Sequence, residues 1–223
     1  MNNIIFTSPY SEITEVTKVL AKEMNLELHI IESALDEAID LINQYIANSN
    51  INTNNIIVIS RGATAKLIEK ELSEAYLIRA EPTEFDLIHA LNEAKKTDKK
   101  IGVLGTIEEE NCLKIDTISR ILNINASGYW YSNSEEFSAA MEKAKSDGIE
   151  ILVGGGLRGQ LLCQEYGIKH IPLINGWSTI EQSLSRAKDI TETRKKEREN
   201  SAVIRTIVDL SNEGIIAINS DRK

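Results

Sequence analysis

The stretches Ile57-Val-Ile-Ser-Arg-Gly-Ala-Thr-Ala-Lys-Leu-Ile68 and Ile151-Leu-Val-Gly-Gly-Gly-Leu-Arg-Gly-Gln-Leu-Leu162 follow one plan. Each is an apolar run of strand type that stops at a glycine-containing turn and restarts as an amphipathic helix. Gly62 and Gly156 are 94 positions apart (156 − 62 = 94), and at that offset Ile57 matches Ile151, Thr64 matches Arg158 and Leu67 matches Leu161. A strand that feeds a helix through glycine presents backbone N–H groups and the positive end of the helix dipole at the C-terminal edge of a parallel sheet, where small anions bind. Two such edges predict two lobes with a ligand between them.

The pattern extends in both directions. In the first half Asn3 to Thr7, Leu26 to Ile31, Ile56 to Ile59 and Ala75 to Arg79 read as strands. Helices are expected from Ser11 to Lys22, from a Ser33 cap through Leu35 to Ile46, after Gly62, and from Thr83 onward. The second half repeats the order. Its strands are Lys100 to Leu104, Ala126 to Tyr131, Ile149 to Val153 and Lys169 to Ile174; its helices lie around Cys112 to Leu122, behind a Ser134 cap, and from Leu157 to Tyr166. Tyr76-Leu-Ile and His170-Ile-Pro are again 94 apart. The expected fold class is therefore α/β, with two tandem Rossmann-like lobes, each a four-stranded parallel sheet with helices on both faces.

From Ser178 the chain keeps helical character into the charged run Thr193-Arg-Lys-Lys-Glu-Arg-Glu-Asn200 and on through Val203, Ile204, Ile207 and Leu210. The expected division is a first lobe over 1–82 completed by a helix at 178–190, a second lobe over 83–177, and a linking helix over 191–210. An apolar stripe that shifts around a charged middle suits a long helix seeking a second copy of itself, and a fully solvated helix is the plainer alternative.

Composition narrows the function. The 223 residues are 42% hydrophobic, and 34 acidic against 25 basic residues give a net charge of −9, which disfavours direct contact with nucleic acid or anionic lipid. No apolar run approaches the roughly 20 residues of a membrane span, and the first residues carry no secretory signal, so no membrane partner and a cytoplasmic location are expected. Cys112 and Cys163 are too isolated for a disulfide framework or a zinc site and are expected as reduced, partly buried thiols. His29, His89 and His170 lack ligand spacing, and no metal is expected.

Gly154-Gly-Gly-Leu-Arg-Gly159 formally satisfies G-x-G-x-x-G between a strand and a helix. The dinucleotide fingerprint also wants an acidic residue about 20 positions on, where this chain has Ile174-Asn175-Gly176, so no nicotinamide or flavin cofactor is expected. The glycines either receive an anion or only allow a tight turn and close helix packing. Ser60, Arg61, Gly62 and Thr64 offer two hydroxyls, a guanidinium fork and backbone donors, a set suited to a carboxylate or phosphate. The plainer alternative has Ser60 capping the helix while Arg61 points into water. No phosphate-binding loop, nucleophile elbow or zinc motif is present, and no catalytic residues are nominated.

Val58 to Ile68, Glu81-Pro-Thr-Glu-Phe-Asp-Leu-Ile88, Ile101-Gly-Val-Leu-Gly105 and Ile151 to Gly156 together resemble the N-terminal receptor domain of the propionate-catabolism regulators. The resemblance covers about residues 3 to 190 and implies a chelatase-like pair of lobes at the head of a sigma-54-dependent activator. It implies a small anionic metabolite as effector, controlling an AAA+ ATPase, with DNA and polymerase contacts made by domains outside this chain. By this resemblance Ser60, Arg61, Gly62, Thr64, Thr106, Gly154, Gly155 and Arg158 face the cleft. The run Ile207 to Asn219 looks like the opening strand of a PAS domain, so residues 211–223 are expected to be its truncated start. The competing reading is an α/β enzyme acting on a nucleotide or a tetrapyrrole-like substrate.

Overall fold

The computed structural model describes residues 3–210. Eight strands run β1 (Ile4–Thr7), β2 (His29–Ile31), β3 (Ile57–Ser60), β4 (Tyr76–Arg79), β5 (Ile101–Thr106), β6 (Ala126–Tyr131), β7 (Ile151–Gly154) and β8 (Lys169–Ile171). The helices are α1 (Ser11–Glu23), α2 (Leu35–Ser49), α3 (Gly62–Glu71), α4 (Glu84–Lys95), α5 (Ile107–Leu113), α6 (Ile115–Leu122), α7 (Ser134–Ser146), α8 (Gly156–Tyr166) and α9 (Trp177–Leu210). A 3-10 turn covers Thr53–Asn55.

The strands form two parallel sheets of identical order, β2-β1-β3-β4 and β6-β5-β7-β8. The expected fold class is borne out. In each sheet the first and third strands pair at the centre, Ile4 with Ile57 and Ile101 with Ile151. Those central strands are buried on both faces, which is why Ile57-Val-Ile and Ile151-Leu-Val read as unbroken apolar runs. The repeat is not rigid along the chain: Ile57 pairs with Tyr76, whereas Ile151 pairs with Lys169, so the fourth strands are 169 − 76 = 93 residues apart. His170 is thus one place out of step with Tyr76.

Each sheet has two apolar layers. In the first, Ile4, Phe6, Ile57 and Ile59 pack against α1 and α9, and Ile5, Ile56 and Val58 pack against α2 and α3. In the second, Val103, Ile151 and Val153 pack against α4, α5 and α6, and Leu104 and Leu152 pack against α7 and α8. The two lobes exchange helices at their crossings. After β4 the chain passes to the second sheet, where Leu87, Leu91 and Ala94 of α4 are buried; after β8 it returns, and Ile180, Leu184 and Ala187 of α9 are fully buried on the first.

Local details correct the sequence reading. Ser33 does not cap α2: Ala34 occupies that place, and the Ser33 hydroxyl donates to Glu37 at 2.7 Å. Ser134 is already helical, and the cap is Asn133, whose Oδ1 accepts from the N–H groups of Glu135 and Glu136. The helix expected around Cys112 to Leu122 is two, broken at Lys114 with φ +36°. Cys112 is exposed, and only Cys163 is buried, its thiol pushed up to about 11 by desolvation. The expected PAS strand from Ile207 is helical through Leu210, and its remainder lies outside the described residues.

Candidate functional site

In a parallel sheet of order 2-1-3-4 the connections leave the two central strands on opposite sides, and a crevice opens beyond their C-terminal ends. In the first lobe that crevice lies between Thr7 to Tyr10 and Ser60 to Gly62; in the second it lies between Thr106 and Gly154 to Gly156. Sheet order places each half of the nominated set at the C-terminal edge of its own sheet, and contacts such as Lys66 with Glu108 join the two edges.

Arg61 leaves the first lobe. Its Nη1 donates to the Leu173 carbonyl at 2.8 Å and to Asn175 Oδ1 at 2.5 Å, on the segment that returns the chain from the second sheet. The solvated alternative for this side chain is thereby excluded. Asn175, 4% exposed, donates its own amide to the Ala80 carbonyl at 2.8 Å, on the segment that leaves the first sheet. Asp86 ties the same crossings. Its carboxylate accepts from the N–H and hydroxyl of Thr83 in a capping box, from the Gly176 N–H at 2.7 Å and from the Thr179 hydroxyl at 3.1 Å.

The field of Arg61 reaches residues on both sides. Burial raises the Tyr10 hydroxyl in the first lobe and the Glu109 carboxyl in the second, and Arg61 opposes both shifts. Tyr131 is pushed up to about 12, chiefly by burial and then by Glu109, with Arg61 and Arg158 pulling it down. Arg158 is held over the Phe137 ring at 4.5 Å and donates to the Ser138 hydroxyl at 3.1 Å. Two arginines from opposite lobes thus act on one tyrosine.

The other nominated residues lie at the same edges but already serve the fold. The Ser60 hydroxyl, 1% exposed, accepts from Thr7 Oγ1 at 2.7 Å. Thr64 Oγ1 accepts from the Leu35 N–H at 2.9 Å. Thr106 caps α5, its hydroxyl accepting from the Glu109 N–H while Glu109 Oε2 accepts from the Thr106 N–H. Gly62 opens α3 at φ +52° with open space where a Cβ would stand. At Gly154, φ +89°, a Cβ would lie 2.4 Å from the Leu104 carbonyl, and the Gly155 N–H donates to that same carbonyl at 2.8 Å. The glycine-rich turn is thus a close approach of β7 to β5, which accounts for Gly154 and Gly155 without a ligand.

A cavity of about 530 Å³ opens beside these edges, between Tyr10 and Glu12 of the first lobe and Gln160, Gln164 and His170 of the second. None of the nominated residues lines it. The His170 Nε2 lies 2.8 Å from the Gly154 carbonyl, which can only accept, so Nε2 carries the proton. Burial holds this imidazole below its ordinary 6.5. Glutamines at 160 and 164 are one helical turn apart and share a face of α8, the one signal in the sequence for this wall. Tyr10 and Glu12 carry no such signal, because only the fold brings the β1–α1 turn opposite α8. At the opposite flank Lys66 of α3 meets Glu108 of α5 at 2.9 Å, an exposed pair worth about 0–1 kcal/mol. Among the described residues no cluster of potential metal ligands occurs, and no helix is long and apolar enough to cross a membrane.

A family model described as "Propionate catabolism activator" matches residues 22–197. Among solved structures, the chain is similar to an NtrC family transcriptional regulator from Clostridium acetobutylicum, at 21% identity and a TM-score of 0.72, with 86% of this chain and 98% of that one covered. A sugar transporter from Clostridium phytofermentans is similar at 16% identity and a TM-score of 0.38, over 86% of this chain and 94% of that one. No curated protein sequence matches the chain significantly.

Proposed function

The chain belongs to the propionate catabolism activator family, and from that premise we propose that it senses a small anionic metabolite between its two lobes on behalf of a transcriptional activator. What supports the ligand reading is that Arg61 and Arg158 stand at the glycine turns of opposite sheets and that both oppose the rise of the partly buried Tyr131 hydroxyl. A carboxylate or phosphate entering the crevice meets one guanidinium from each side. It also meets the N-terminal ends of α3 and α8, which favour negative charge.

Binding between lobes favours the arrangement in which both arginines reach the ligand, and an effector shifts a regulator only through such a difference in affinity between states. The helix α9 is the route outward, because its first turns lie against the crossings at Asp86 and its buried residues belong to the first lobe. In the full regulator the distal part of α9 pairs with a second copy through Val203, Ile204 and Ile207, which are all more than half exposed here, and carries the change to a sigma-54-dependent ATPase.

A thermal-shift screen of organic acids and phosphorylated metabolites on the 223-residue chain tests the ligand reading. A true effector at about 100 times its Kd stabilises the protein by roughly 2.7 kcal/mol. Stabilisation that survives Arg61→Ala and Arg158→Ala together would remove the cleft from the proposal. Turnover of any of these compounds would restore the enzyme reading.

A further inference from the structure

A second cavity, of about 280 Å³, lies at the far end of the first sheet, where α9 passes the N-terminal ends of β1 and β3. Its walls include Arg194, Lys195, Arg198 and Glu199 of α9, facing Asn3, Asn55 and Ile57. Arg194 and Arg198 are one helical turn apart and share a face, and Lys195 stands beside them. In a chain of net charge −9 this is a local concentration of positive charge around a concave space. Glu199, the acidic residue of the wall, pairs with Lys195 at 4.0 Å, and the two arginines leave the wall a net positive charge. Arg198 is steadied by a hydrogen bond to Asn55 Oδ1.

Arg194 is the telling residue. Its guanidinium lies over the Tyr76 ring at 5.5 Å, and its Nη1 is buried with no hydrogen-bond partner among the described residues. A buried charged donor without an acceptor is costly, and the Tyr76 ring face offsets that cost only in part. The position also bears on signalling. The apolar contacts of α9 with the first lobe end at Ile190, so this polar cavity is where the helix parts from the globular body.

We propose that the cavity binds a small anion with two or more charged oxygens, such as phosphate or a short dicarboxylate, and that the bound anion clamps α9 to the N-terminal edge of the first sheet. One anionic oxygen meets the Arg194 side chain where it lines the cavity, a second bridges towards Arg198 and Lys195, and the Asn3 and Asn55 amides complete the set. The site is separate from the interlobe cleft and does not depend on it.

The test is an NMR titration of the whole chain, following the Ile57 methyl and Asn55 amide signals, with inorganic phosphate in one arm and succinate in the other, at constant ionic strength. A saturable shift in either arm supports the site, and the arm that saturates at lower concentration identifies the oxyanion class. Arg194→Gln should weaken that binding about tenfold or more. Arg61→Ala should leave it unchanged, which keeps a failure of the cleft reading distinct from a failure here. Shifts that never saturate in either arm, or equal affinity in wild type and Arg194→Gln, would overturn the proposal; an unchanged Ile59 methyl signal verifies that the variant is folded.

Discussion

Arg61 of the first lobe donates to Asn175 Oδ1 at 2.5 Å across 114 residues of sequence, and so joins the turn after β3 to the segment that returns the chain from the second sheet. Asn175 in turn holds the Ala80 carbonyl of the other crossing. A ligand of the proposed kind that draws the guanidinium towards itself would compete with this contact between the lobes, which gives the proposed binding and the lobe contact a common residue.

Arg61→Ala should weaken a carboxylate ligand by about 1.5–3 kcal/mol, the range for hydrogen bonds to charged groups. It should also let the Glu109 carboxyl titrate higher still, because Arg61 is the leading influence that offsets its burial. Calorimetry measures the first effect and carbon-detected NMR titration of Glu109 the second. A Glu109 titration that stays put would separate the two side chains.

Gly176→Ala places a Cβ 2.7 Å from Asp86 Oδ1, at the oxygen that accepts the Gly176 N–H. Destabilisation of about 1–3 kcal/mol is expected from the displaced carboxylate. Gly62→Ala meets open space at φ +52° and should cost only the backbone strain, about 1–2 kcal/mol. Urea denaturation ranks the two, and a Gly176→Ala effect on effector affinity is expected if the crossings govern lobe closure.

His170 makes stability depend on pH. Its folded value lies below the ordinary 6.5, so as pH falls through that value the unfolded chain takes up a proton that the folded chain resists. The contribution is complete above the unfolded value and is lost as pH falls towards the folded one. His29, also lowered by burial, acts in the same sense. Urea midpoints at about pH 7.5 and 6 should differ less for His170→Asn than for wild type; an equal difference would place the dependence elsewhere.

Along α9 the same type of change should have unlike effects. Leu184 is fully buried, and Leu184→Ala should cost about 2–5 kcal/mol in denaturation. Ile207 is 59% exposed, and Ile207→Ala should change monomer stability by no more than about 0.5 kcal/mol. Ile204→Lys with Ile207→Lys should abolish self-association in sedimentation, and an unchanged profile would assign this stripe to solvent.

Much of this architecture was legible in the residues themselves. Runs such as Ile57-Val-Ile and Ile151-Leu-Val are apolar at every position, which suits a strand buried on both faces, and Thr83 marks the start of α4. These signals are local, so the element order and the duplication could be read without coordinates. The turn at Gly154 was readable as a glycine turn, but its cause, the approach to the Leu104 carbonyl, joins residues about 50 apart and is invisible in a linear pattern. The cap at Ser134 failed because Asn133 takes that helix end, and the one at Ser33 because its hydroxyl turns to Glu37 while α2 starts behind Ala34 with no side-chain cap.

The candidate site shows the same division. Sequence alone nominated Arg61 and Arg158 by placing a guanidinium beside each glycine turn, a matter of composition within a few residues. That both act on Tyr131, that Asn175 receives Arg61, and that Asp86 binds two crossings 90 residues apart were decided only by the tertiary structure. Strand type and helix periodicity follow from short-range sterics and apolar spacing, whereas polar partnerships between lobes depend on sheet order and on where the chain crosses, which no short segment encodes.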